Sequence, residues 1–157
     1  MIRTGPKSAV LALTSLLVAA AAVGGEPAGP PAHPAAVDAL VAAAKRAVTT
    51  IDMRALRAVV AHPDDALIID VREPAEYLAG HVPGAVNVPR GLLEFKLWPR
   101  VGGAAHPDYG RRIYVYCGVG SRAALAARTL KALGFTHVTA VDMRIAEWDA
   151  AGYPLDF

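Results

Sequence analysis

The chain of 157 residues holds one cysteine, Cys117, so no disulfide can form within it. His33, His62, His106 and His137 stand at no metal-ligand spacing from that thiol. Neither a metal nor an organic cofactor is expected. No lysine or arginine cluster marks a nucleic-acid surface, and no internal repeat suggests a solenoid. The 16 basic residues outnumber the 14 acidic ones, but Arg3 and Lys7 carry that excess, and without residues 1–24 the balance is 14 against 14. The longest apolar run, Ala9 to Val23, falls short of the roughly 20 residues of an ordinary membrane span.

That run has another meaning. Arg3 and Lys7 precede it, and Ala20, Ala22 and Gly24 offer small residues for cleavage at its end, the pattern of a cleaved secretory signal. Residues 1–24 are therefore expected to be a signal peptide and the mature protein to be exported to the periplasm. Secretion and an uncleaved N-terminal anchor are the alternatives. No cysteine near the cleavage point supports a lipid anchor, and no arginine pair supports the twin-arginine route. After cleavage no stable membrane association is expected. "GGEPAGPPAHP" (Gly24–Pro34) reads as an extended linker, covering 25–34 after the cut. Residues 35–48 read as an alanine-rich helix, with Asp38 near its start and Lys45 and Arg46 near its end.

From residue 49 to 157, strand-like and helix-like segments alternate within one domain. "TTI" (Thr49–Ile51) suggests a short strand, and Asp52 caps a helix with Leu56, Val59 and Val60 on one face. "ALIIDV" (Ala66–Val71) is continuously apolar, as in a strand buried on both faces. Pro74 opens a short helix, "PAEYLAG". "GAVNV" (Gly84–Val88) reads as a strand, "GLLEFKLW" (Gly91–Trp98) as a helix and "RIYVY" (Arg112–Tyr116) as a strand. A helix to about Leu133 stops at Gly134. "HVTAV" (His137–Val141) is a further strand and "IAEWDAAG" (Ile145–Gly152) a closing helix. Such alternation implies a doubly wound parallel sheet, an α/β fold with helices on both faces. Ligands bind beyond the carboxyl ends of its strands.

Cys117 sits at one such end, in "YVYCGVGSRAALAARTL" (Tyr114–Leu130). Gly118 and Gly120 allow a sharp turn whose N–H groups converge on an anion. The helix beginning near Ser121 adds its positive end, and Arg122 adds a full charge. All three favour a thiolate. The plainer alternative is a buried cysteine serving as a small hydrophobe.

"LIIDVREPAEYLAGHVPGAVNVP" (Leu67–Pro89), "YCGVGSR" and the closing "AEWDAAGYPL" together resemble a single-domain rhodanese, of the sulfurtransferase family. The resemblance runs from about Thr50 to the C-terminus. It implies a rhodanese-like fold and a Cys117 that carries a persulfide, cradled by Gly118, Val119, Gly120, Ser121 and Arg122. The implied partners are small sulfur donors, thiosulfate or alternatively 3-mercaptopyruvate, and acceptors such as cyanide, a small thiol or a protein thiol. Asp70, Arg72 and His81 fall in the family's upstream signature, with the expected task of tying loops together. Asp142-Met143-Arg144 stands where many members carry Gly-Gly, which leaves substrate choice open.

Rival readings remain. A cysteine phosphatase signature places five residues between Cys and Arg; here there are four, Gly118 to Ser121. Gly118-x-Gly120-x-x-Ala123 fits a dinucleotide fingerprint, but only a short chain follows it. A non-enzymatic sulfur carrier or thiol-based binding module shares the persulfide step and is left open. Tyr77, Tyr116 and Trp148 are expected in the core, and so, in preference to lining a pocket, are Phe95 and Trp98.

Overall fold

The computed structural model describes residues 33–157 together with the first two residues. The expected signal peptide and most of the linker lie outside the described residues. Five strands form a single parallel sheet in the order β1-β5-β4-β2-β3: β1 (Thr49–Ile51), β2 (Leu67–Asp70), β3 (Val86–Asn87), β4 (Ile113–Tyr116) and β5 (Val138–Val141). The helices are α1 (Ala35–Ala47), α2 (Met53–Ala61), α3 (Pro74–Leu78), α4 (Leu93–Lys96), α5 (Ser121–Ala132) and α6 (Ile145–Ala150). Among the described residues no helix is long and apolar enough to cross a membrane.

Strand periodicity sorts the core into two layers. Leu67, Ile69, Ile113, Val115, Cys117, Val138 and Ala140 share one apolar cluster with α5 and α4. Ile68, Tyr116 and Val141 share the other with Leu56 of α2 and Trp148 of α6. Helix α5 meets the sheet through Ala123, Ala124, Ala126 and Ala127, whose small side chains permit close approach. Gly134, at φ +106°, ends that helix in a conformation other residues avoid. Asp52 caps α2 by accepting from the Ala55 N–H at 2.8 Å.

Two elements are shorter than the sequence suggests. The strand expected over Gly84–Val88 narrows to Val86–Asn87, because Pro83 and Gly84 form a turn closed by the Ala85 N–H on the Val82 carbonyl at 3.0 Å. The helix expected over Gly91–Trp98 is a 3₁₀ turn (Arg90–Leu92), the short α4, and a second 3₁₀ turn (Trp98–Arg100). Pro99 has no N–H to continue the α ladder, and the Trp98 indole takes the Glu94 carbonyl at 2.9 Å.

Candidate active site

Strand β4 ends at Tyr116, opposite Asp70 of β2, which is itself opposite Asn87 of β3. Cys117 follows directly and is fully buried. The next residues leave the sheet and open α5, with Gly120 preceding the helix at φ +84°. A Cβ on Gly120 would stand 2.5 Å from Asp142 Oδ1, so the backbone angle demands glycine here and any side chain would also push the Asp142 carboxylate aside. The Ala124 N–H reaches the Gly120 carbonyl, while the N–H groups of Gly118 through Ala123 donate to no protein acceptor among the described residues. A row of unpaired donors at a helix N-terminus is suited to an anion.

Arg122 is the loop's side-chain cation, and it is already engaged. Its Nη1 and Nη2 donate to the two Glu76 carboxylate oxygens at 2.7 Å each. The guanidinium lies over Gly118, where an added Cβ would be 3.3 Å from Nη2. The Glu73 N–H supplies Glu76 with another bond, at 3.1 Å. Chiefly because of the Arg122 bond, and against the opposing effect of burial, the Glu76 carboxyl titrates down at about 2. The same bond, with a smaller contribution from nearby Cys117, holds Arg122 more firmly charged. Glu76 thus shares the Arg122 charge that the sequence offers to the Cys117 loop.

Asp70, Arg72 and His81 lie buried next to the loop rather than in it. Asp70 accepts from Arg72 Nε at 2.9 Å and Nη2 at 2.7 Å, and that Nη2 also reaches the Gly80 carbonyl at 2.7 Å. His81 stacks on Tyr77 with ring centroids 3.7 Å apart. Its backbone pairs with Asp156, tying down the C-terminal segment. Burial, and then the nearby Asp70 charge, push the Tyr116 phenol above its ordinary range; its oxygen accepts from the Val82 N–H at 3.1 Å.

A rhodanese-like domain model matches residues 53–151. The chain belongs to that family. It is 33% identical over 101 residues to a putative sulfur carrier protein of Bacillus subtilis, covering 64% of this chain and 51% of that one. It thus spans about half the length of that relative. It is 28% identical over 108 residues to a sulfurtransferase of Allochromatium vinosum, covering 69% of this chain and 94% of that one. The solution structure of the polysulfide-sulfur transferase homodimer from Wolinella succinogenes superposes with a TM-score of 0.64 at 27% identity, over 78% of this chain and 88% of that one. The fold is the rhodanese fold.

Within this rhodanese-like domain, the turn Asp142-Met143-Arg144 borders the cysteine loop. Met143 is buried, and Asp142 accepts from Lys45 of α1 at 2.8 and 2.9 Å. Arg144 pairs with Glu147 at 3.6 Å on the surface. The Ile145 N–H reaches the Gly118 carbonyl at 3.1 Å, so the turn and loop are joined through the backbone. Phe95, expected to pack in the core, is instead 77% exposed. It lines an open cavity, because Leu93 at the start of the short α4 and Leu97 just past its end are buried and Phe95 is turned away. Trp98 is half-buried against Phe135. Val119, read as part of the cradle, exposes its side chain. Glu76 was missed in the sequence. Its partner lies 46 positions downstream, and only its place three residues after the first residue of "EPAE" hinted at a local role.

Proposed function

We propose that this protein is a sulfurtransferase that moves a sulfane sulfur through a persulfide on Cys117. One observation carries the reading: Cys117 directly follows central strand β4 and leads into a loop and helix start, Gly118 to Ala123, whose N–H groups are unpaired among the described residues and whose turn is made by Gly120. The Cys117 thiolate attacks the outer sulfur of a donor such as thiosulfate. The donor's S–S bond breaks and sulfite leaves with the electron pair. The negative outer sulfur of the Cys117 persulfide is then stabilised by the loop amides, with Arg122 adding what charge Glu76 leaves it. A thiophilic acceptor, cyanide or a thiol, attacks that sulfur and returns Cys117 as thiolate. Thiosulfate is the preferred donor in this reading and 3-mercaptopyruvate the alternative. Because Cys117 has no exposed surface, each reactant must displace the groups that cover it.

The four-residue spacing from Cys117 to Arg122 supports a cradle for one sulfur atom rather than the wider ring of a phosphatase. Asp142, which the dinucleotide reading needs for a ribose, is paired with Lys45. A carrier that only holds sulfur is the second reading, favoured by the likeness to the B. subtilis carrier protein. The basic, apolar and small residues of 1–24 support export, with the protein acting in the periplasm. Intact mass after thiosulfate treatment should rise by one sulfur atom and return on adding cyanide. Cys117→Ser should show neither change, and multiple turnovers separate an enzyme from a carrier. A mass gain in the Ser variant would refute the assignment.

A further inference from the structure

Around the carboxyl end of the sheet, most cations already face a carboxylate. Arg72 pairs with Asp70, Arg90 with Glu94, Arg122 with Glu76, Lys45 with Asp142 and Arg144 with Glu147. Lys96 and Arg100 have no acidic partner among the described residues. Both line a cavity of about 400 Å³ with Asn87, Val88, Phe95 and Pro99, a volume in the usual range for small-molecule sites. The cavity thus combines two free cations and an exposed aromatic ring. It also holds a half-buried amide: Asn87 Nδ2 donates to the Asp70 and Arg72 carbonyls at 3.0 and 2.9 Å, leaving Oδ1 to accept.

Its position limits what can bind. Asn87, Asp70 and Tyr116 lie in register on three adjacent strands. Strands are spaced by roughly 4.8 Å, which puts Asn87 about 10 Å from the residue before Cys117. An anion as small as thiosulfate does not bridge a gap of that size, whereas an extended molecule is long enough to.

We propose that the cavity is a specificity subsite for a carboxylate-bearing organic thiol, the acceptor in the second half of the reaction. Its carboxylates meet Lys96 and Arg100, its apolar stem lies on Phe95, and its N–H groups are offered Asn87 Oδ1. Its thiolate extends to the Cys117 persulfide and attacks the outer sulfur. The S–S bond to Cys117 breaks, the thiol departs as a persulfide, and Cys117 leaves as thiolate. This inference rests on the sulfur-transfer reading above.

The test uses the full chain loaded with sulfur from thiosulfate, and two acceptors of similar length: glutathione and glutathione diethyl ester, which lacks the carboxylate charges. The wild type should prefer glutathione, and the preference should weaken with added salt. In the Lys96→Gln/Arg100→Gln variant, the ratio of the two second-order rate constants should fall about five- to tenfold, as expected for two partly exposed charge contacts. Both side chains are exposed, so the fold should survive. Titration with S-methylglutathione, which cannot react, should show the same loss in affinity. Transfer to both acceptors with an unchanged ratio overturns the subsite alone. A wild type that passes sulfur to cyanide but to neither glutathione nor its ester also overturns the subsite alone, and one that passes it to none of the three overturns the sulfur-transfer reading as well.

Discussion

Replacing Glu76 with Gln removes the charge that holds Arg122 while preserving the side chain's size. The bond lost is bidentate, 2.7 Å at both oxygens, but the partners expose 34% and 41% of their side chains. Solvent screening therefore places the pair near the upper end of the surface range, about 1 kcal/mol. With a urea slope of about 2 kcal/mol per molar, the midpoint should fall by about 0.5 M at pH 7. The folded carboxyl titrates at about 2, well below the 4.5 of a free glutamate. A depressed carboxyl contributes its full stabilisation above the unfolded value and loses it as pH falls toward the folded one. The gap between wild type and variant should thus be constant from pH 8 to about 5 and at least halved by pH 3. Arg122, freed of its counter-charge, should also raise the second-order rate with thiosulfate about threefold, the effect of a partly exposed charge. Urea curves at several pH values and steady-state kinetics provide both readouts. A gap as wide at pH 3 as at pH 7 would refute the electrostatic account. A tenfold loss of rate would show that Glu76 positions Arg122 rather than neutralises it.

Two further expectations follow from the loop and the N-terminus. Gly120→Ala should cost about 1–2 kcal/mol for its left-handed backbone alone and should depress sulfur transfer. Adding Asp142→Gly, which removes the carboxylate 2.5 Å from the new Cβ, should recover part of the stability in thermal melts but not the backbone term; full recovery would mean that only the clash mattered. Protein purified from its native host should begin close to Gly25, and N-terminal sequencing that reads Met1 would rule out cleavage.

Much of this protein was legible in one dimension because its determinants are local. The short apolar run Leu67–Ile69, rich in β-branched residues and lacking the alternation of a half-solvated strand, pointed to a strand covered on both faces. The proposed site was legible for the same reason: Cys117 lies between such a strand and a glycine-bearing helix start, and the residues proposed to cradle its sulfur, Gly118 to Arg122, are contiguous. Boundaries failed where side chains competed with propensity: the Trp98 indole and Pro99 broke up an expected helix, and the Pro83-Gly84 turn trimmed β3. Tertiary structure alone decided the charge at the site. Glu76 and Arg122 are far apart in the chain, and so are Lys45 and Asp142. Which acid meets which base depends on how α3 and α1 pack beside the loop, and no periodicity encodes that. The same packing turned Phe95 outward beside Lys96 and Arg100, because Leu93 at the start of α4 and Leu97 just past its end took the inward positions.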